Sequence, residues 1–341
     1  MEPRFLATPR LRIRYLDTHG DNSAGKVPGE TLVLLHGNLA SCKYFEPLAQ
    51  ALSSDYRCIA PDIRGYGLSD ARPIRAAAGL ADCSDDLLLM LDMLKVENIH
   101  LLGWSLGGGI AMRFAIDHCR RLRSLTLVAP VSPYGYGGTR DAMGAPIHPD
   151  WAGSGGGLVA EELVQMLQDG AIETLRQSLG TLLVAKGTVP DHLLQEARLQ
   201  ARGAAYYPGD AISSPNWPGF SPGEWGAMNA MSPKHFNTSP IANIADKPPI
   251  LWLRGDQDAV ISDHSPLDCA VLGCEQQIPD WPGESDYPPQ PMLAQTRQVL
   301  EAYAAQGGAY QELVLPETGH TPMLEAPEQF ESSLRSFLDS A

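Results

Sequence analysis

Ile99-His100-Leu101-Leu102-Gly103-Trp104-Ser105-Leu106-Gly107-Gly108-Gly109 is the stretch that decides how the rest of the chain is read. Its apolar run ending at Gly103 predicts a short buried strand, and Leu106, Ile110 and Phe114, with Ala111 and Ala115 beside them, recur at helical spacing. Ser105 therefore falls on a strand-to-helix turn. Such a turn is so tight that the residues two before and two after the serine must be small, and Gly103 and Gly107 stand there. The hydroxyl would project at the carboxyl edge of a sheet, with Leu106 N–H and the positive end of the helix dipole facing any negative charge formed beside it. A lone Gly-x-Ser-x-Gly arises by chance; a strand before it and a helix after it make it the setting of a nucleophile.

The whole chain has room for one large α/β domain carrying an elaborated insertion, at 341 residues. Hydrophobic content of 44% is ordinary for a globular protein, and no run of about 18 apolar residues suggests a membrane span. Arg4, Arg10, Arg12 and Arg14 punctuate the N-terminus where a secretory signal would be apolar. A cytoplasmic protein is expected. A formal charge of −15 argues against nucleic acid or an anionic membrane as partner. Cys42, Cys58, Cys83, Cys119, Cys269 and Cys274 are dispersed, which reads as buried thiols in a reducing compartment. Cys269 and Cys274 alone are close enough in sequence to invite a disulfide. No His/Cys cluster has zinc-site spacing, so no metal is expected.

Upstream of the serine, Arg4 to Leu6 and Leu11 to Tyr15 predict two edge strands, followed by a polar loop from Asp17 to Glu30. Thr31 to Leu35 is a nearly all-apolar strand running into His36-Gly37-Asn38-Leu39, where a glycine at a strand end would expose backbone N–H groups as an oxyanion hole. His36 is read as a structural brace for this loop. Phe45, Leu48, Ala49 and Leu52 form a helical face and Tyr56 to Ala60 a strand. The loop Asp62-x-Arg64-Gly65-x-Gly67-x-Ser69 is expected to be structural, pinned by an Asp62–Arg64 ion pair. Ser84, Asp85 and Asp86 are placed at the start of a helix whose stripe includes Leu87, Met90, Leu91 and Leu94.

Downstream, Ser124 to Val128 is another buried strand, after which the periodicity changes. Residues 131 to 157 are rich in Gly and Pro, and helical stretches follow at Leu158 to Leu167, Ile172 to Leu183 and Asp191 to Ala201. Tyr206 to Phe236 is irregular and carries Tyr206, Tyr207, Trp217, Phe220 and Trp225, aromatics that could line an apolar pocket, with Trp217 and Trp225 as the candidate substrate contacts. An insertion at the carboxyl end of a parallel sheet would lie over Ser105 as a lid. The division expected is a core of 1–130 and 247–341 with a lid of 131–246. Sheet returns at Ile250 to Arg254, followed by Gly255-Asp256-Gln257-Asp258; Ser262 to Gln290 is loop-rich. Leu293 to Ala305 reads as a helix, Tyr310 to Leu315 as a strand ending in Glu317-Thr318-Gly319-His320-Thr321-Pro322, and Pro327 to Leu338 as a closing helix.

Ser105, Asp258 and His320 thus come in the order nucleophile, acid, base, each just past an expected parallel strand. With His36-Gly37, the Asp62-x-Arg64-Gly65-x-Gly67-x-Ser69 loop, Gly255-x-x-Asp258 and Gly319-His320, the chain resembles the α/β-hydrolase fold family over about Leu11 to Pro130 and from Pro249 to the C-terminus. The resemblance implies a mostly parallel eight-stranded sheet flanked by helices, with an inserted, mainly helical lid. It also implies a Ser105-His320-Asp258 triad and an oxyanion hole from the N–H groups of Asn38 and Leu106. Such chemistry requires no cofactor. Gly37, Leu39, Trp104, Trp217 and Trp225 are the candidate substrate contacts.

Serine at 105 disfavours the dehalogenases and most epoxide hydrolases that resemble this family but place Asp there. Gly-Trp-Ser-Leu-Gly-Gly looks like the elbow of small carboxylic ester hydrolases. The expected substrate is an apolar carboxylic ester or lactone, with C–C bond hydrolysis of ring-cleavage products or cofactor-free perhydrolysis as alternatives. A non-catalytic ligand-binding protein of this fold is the alternative from another class, and the intact triad argues against it. A homodimer is among the assemblies the sequence allows.

Overall fold

The computed structural model describes residues 1–20 and 29–341. The middle of the Asp17 to Glu30 loop, residues 21–28, lies outside the described residues. Among the described residues ten strands follow one another: β1 (Arg4–Ala7), β2 (Arg12–Asp17), β3 (Glu30–Leu35), β4 (Tyr56–Pro61), β5 (Ile99–Trp104), β6 (Leu122–Val128), β7 (Ala211–Ser213), β8 (Phe220–Pro222), β9 (Ile250–Gly255) and β10 (Tyr310–Leu315). Eight of them form one sheet in the order β1-β2-β4-β3-β5-β6-β9-β10, antiparallel at β1–β2 and β2–β4 and parallel elsewhere. This is the α/β architecture that the motif order implied. β2 is not an edge: it lies between β1 and β4, with Ile13 to Asp17 buried.

Central strands read as unbroken apolar runs because helices cover both faces of a parallel sheet. β5 is buried at every residue, whereas the edge strand β1 alternates between half-buried and exposed. The chain passes from β3 outward to β4, then returns to place β5 on the other side of β3. Connections therefore leave β3 and β5 in opposite directions, which opens a crevice at their carboxyl ends. Leu35 pairs with Gly103, so His36-Gly37-Asn38 and Ser105 emerge side by side into that crevice.

Two local expectations give way to longer-range pairings. The helix placed at Ser84 to Asp86 begins earlier, spanning Ala81–Met93, and Asp86 uses its carboxylate to accept from Arg64 at 2.5 and 2.8 Å and from Arg10 at 2.6 Å instead of capping. Asp62 accordingly does not pair with Arg64. Its buried carboxylate accepts from Arg14 on β2 and from the amides of Cys42 and Leu68 at 2.9 and 2.8 Å. Asp62 thus pairs with Arg14, while Arg64 and Arg10 share Asp86.

Between β6 and β9 the chain forms the helices Glu161–Asp169, Ile172–Leu182 and Asp191–Glu196 and the small antiparallel hairpin β7–β8, which the sequence shows only as irregular. Cys269 and Cys274 begin and end one short helix, the first buried and the second exposed, and both are free thiols. Among the described residues no helix is long and apolar enough to cross a membrane.

Candidate active site

Ser105 sits between β5 and the helix Leu106–His118 with φ 56° and ψ −116°. A non-glycine residue in such a conformation is strained by about 1–3 kcal/mol, and here the surrounding packing leaves no alternative. A Cβ at Gly103 would lie 2.2 Å from the Gly107 carbonyl oxygen, and one at Gly107 would lie 2.3 Å from that of Leu35. Both positions must be glycine for the turn to close. The Leu106 amide, first in its helix, has no acceptor within that helix and faces outward with the dipole.

His320 lies beyond β10 and Asp258 beyond β9, on neighbouring parallel strands. His320 Nδ1 is 2.9 Å from Asp258 Oδ2 and 3.1 Å from Oδ1, and both side chains are buried. Asp258 Oδ1 also accepts from the amides of Val260 and Ile261 at 2.8 and 3.0 Å. A carboxylate so held accepts a hydrogen bond from Nδ1–H, which keeps that proton on the imidazole's Nδ1 and leaves the Nε2 lone pair for chemistry. Asp256 is exposed and accepts one long bond, 3.3 Å, from Thr318 N. Asp263 caps a helix thirty residues on, accepting from Leu293 N at 2.8 Å.

The loop His36-Gly37-Asn38-Leu39 is braced from beneath. His36 is fully buried, with Nδ1 2.8 Å from the Gly37 carbonyl and Nε2 accepting Ile63 N–H at 3.0 Å; burial holds its imidazole below the usual histidine range. Tyr66, within the Asp62 to Ser69 loop, packs its ring edge against His36 and donates its hydroxyl to Asn38 Oδ1 at 2.8 Å. The Gly65-x-Gly67 loop thus supports the residue expected to supply an oxyanion N–H.

Ser105, His320, Asn38 and Leu39 all line one cavity of about 440 Å³. Its walls are apolar: Leu163, Leu179, Leu182 and Leu183 come from the inserted helices, Met228 and Met231 from the segment after β8, and Pro266, Leu267 and Leu272 from the loop-rich stretch after β9. Ala160, Pro266, Leu267 and Gln277 are solvent-exposed and mark its mouth, while Ser105 and His320 lie at the buried end. No lysine or arginine lines it among the described residues.

Four of the expected substrate contacts are absent from this lining. Gly37 lies under the floor, against Trp104 and Ser105. Trp104 is 1% exposed and donates its indole N–H to the His320 carbonyl at 2.8 Å, beneath the site. Trp217 stacks edge-on against Tyr287 and donates to the Pro279 carbonyl in a separate apolar cluster. Trp225 is half-exposed, with its backbone bridged to Arg75. Aromatic composition alone does not say which way a loop turns. Tyr207 of the same stretch does line the cavity, while the leucines beside it recur along helices, where sequence shows only an apolar stripe.

A family model described as alpha/beta hydrolase fold matches residues 30–281, and the chain belongs to that family. Among curated proteins it is similar to a 2-hydroxy-6-oxo-6-phenylhexa-2,4-dienoate hydrolase of Burkholderia cepacia, 29% identical over 178 residues, which are 51% of this chain and 56% of that protein. A 2-hydroxy-6-oxononadienedioate/2-hydroxy-6-oxononatrienedioate hydrolase of Comamonas testosteroni is 28% identical with the same coverage. This chain spans about half the length of the curated relatives it matches. In three dimensions it is similar to an esterase of Rhodococcus, 22% identical with a TM-score of 0.61, covering 100% of this chain and 99% of that one. An esterase of Exiguobacterium antarcticum is 20% identical with a TM-score of 0.59, covering 99% and 100%. At these identities the likeness establishes the fold alone.

Proposed function

We propose that this chain is a serine hydrolase that cleaves an uncharged carboxylic ester or lactone with an apolar moiety through an acyl-enzyme. The observation that carries the reading is that Ser105 and His320 line one apolar cavity while Asp258 holds the far nitrogen of the imidazole. His320 Nε2 takes the Ser105 proton as Oγ attacks the carbonyl carbon, and Asp258 stabilises the imidazolium that forms. The Asn38 and Leu106 N–H groups receive the oxyanion, each worth about 2.7–4 kcal/mol by analogy with donors of this kind. His320 then returns its proton to the leaving alkoxide, and water, activated by the same imidazole, cleaves the acyl-enzyme. The inserted helices from 131 to 246 act as the lid over this chemistry, with the stretch after β9 as the facing lip.

The named activity of the dienoate hydrolase relatives supports a second reading, C–C bond hydrolysis. A dienoate carries a carboxylate, whose burial without a cationic partner is costly. The absence of lysine and arginine from the described lining therefore favours the neutral ester. Labelling with a fluorophosphonate, followed by mass spectrometry, tests the core of the proposal: Ser105 carries the label and Ser105→Ala carries none and loses nearly all ester turnover with its fold intact. A label on another residue would sink the assignment. Parallel assays with p-nitrophenyl alkanoates and a dienoate separate the two bond types.

A further inference from the structure

Five residues after His320, Glu325 ends the short helix Pro322–Glu325 and turns its carboxylate back on the loop that carries the histidine. Oε1 accepts from Thr321 N at 3.3 Å and the Thr321 hydroxyl lies 3.1 Å away; both carboxylate oxygens lie 3.0 Å from Gly319 N. The amides on either side of His320 are therefore held by one group. The same carboxylate reaches the inserted region, where Oε2 accepts from Ala185 N at 2.7 Å. Thr321 adds a second link, since its hydroxyl is also 3.1 Å from the Leu183 carbonyl. The backbones are in contact as well: a Cβ at Gly319 would lie 2.6 Å from Ala185 N. Leu182 and Leu183, immediately before this junction, line the cavity.

We infer that Glu325 is a positioning residue that locks the His320 loop to the 183–185 segment of the cavity wall, so that the imidazole is correctly placed only when that wall is seated. The inference rests on the reading of His320 as the base. A carboxylate suits the task because it offers acceptor lone pairs on both oxygens to several converging donors. A glutamine there keeps the shape but turns one acceptor into an N–H group facing other N–H groups.

The test compares full-length wild type, Glu325→Gln, Thr321→Val and His320→Ala by kcat and KM on an apolar p-nitrophenyl ester, and by the rate of fluorophosphonate labelling at Ser105. Labelling reports the activation of Ser105 without deacylation or product release. Misplacement of a catalytic group by about 1 Å costs on the order of 100-fold, so Glu325→Gln lowers kcat and labelling rate together by about 10- to 100-fold with KM within about threefold. Thr321→Val, which removes one link and keeps the volume, lowers the same two quantities by less. A folded Glu325→Gln protein with kcat and labelling rate near wild type, or with a loss in KM alone, overturns the inference. If Glu325→Gln does not fold, unchanged labelling in Thr321→Val overturns it. Undiminished labelling of His320→Ala would instead remove the base itself, a failure of the functional reading that is distinguishable from any result at Glu325.

Discussion

Trp104 and His320 are joined by a 2.8 Å hydrogen bond from the indole N–H to the histidine's own carbonyl oxygen, with their rings 5.5 Å apart. The residue before Ser105 thus holds the backbone of His320, the proposed base, across 216 residues of chain. Trp104→Phe keeps most of the packing and removes the donor. Leaving that buried carbonyl unpaired should cost about 1–3 kcal/mol of stability, and the looser loop should lower kcat with little change in KM. Thermal melts and steady-state kinetics check both; a rise in KM confined to apolar esters would make Trp104 a substrate contact after all.

Asp258 and Asp256 differ by two positions and separate cleanly by environment. Asp258 is buried against His320, whereas Asp256 is exposed with one long bond to Thr318 N. Asp258→Asn should lower kcat by about 10⁴-fold, as replacement of a triad aspartate does elsewhere. Asp256→Asn should change stability by about 0.5 kcal/mol or less, as exposed substitutions do. Measuring kcat and melting temperature for both single variants decides it, and the reverse pattern would reassign the acid.

The cavity wall gives a specificity test. Leu163→Ala and Leu182→Ala each remove an isopropyl group from a residue lining the cavity, and each should raise KM for a long-chain ester about 10-fold or more while leaving an acetate ester nearly unaffected. Trp217→Ala, outside the lining, should leave both values near wild type. Chain-length series for the three variants settle the matter; an equal effect of Trp217→Ala would place that indole in the acyl path.

Stability should depend on His36. The buried imidazole is held below the usual histidine range, first by desolvation, and its Nε2 accepts the Ile63 amide. The unfolded chain takes up this proton near pH 6.5 while the folded chain resists it. The unfolded state then binds more protons, so folding stability falls as pH drops below about 6.5 and is undiminished above it. His36→Gln keeps an acceptor without a titrating group and should flatten part of the fall in melting temperature between pH 7 and pH 5. An identical pH profile in the variant would show that His36 does not contribute to it.

Much of this was legible in the chain because the signals are local. A strand of apolar residues, a serine between two obligatory glycines and a helical stripe after it are each constrained within a few residues, so Ile99 to Ala115 announces its own geometry. The placement of Asp258 and His320 just past strands follows from the same local rules applied at Ile250 and Tyr310, and β9 and β10 prove to be neighbours. Only the tertiary structure decided what depends on which surfaces meet. Asp62 took Arg14 rather than Arg64, because β2 lies beside β4 and brings that guanidinium to the buried carboxylate. The aromatic residues Trp104, Trp217 and Trp225 turned away from the cavity while leucines on helical faces lined it. Glu325, unremarkable as a residue in a helix after a histidine, became the acceptor shared by the histidine loop and the inserted region. Hydrophobicity and spacing encode how much surface each element must bury; which distant element covers it is set by how all of them pack at once.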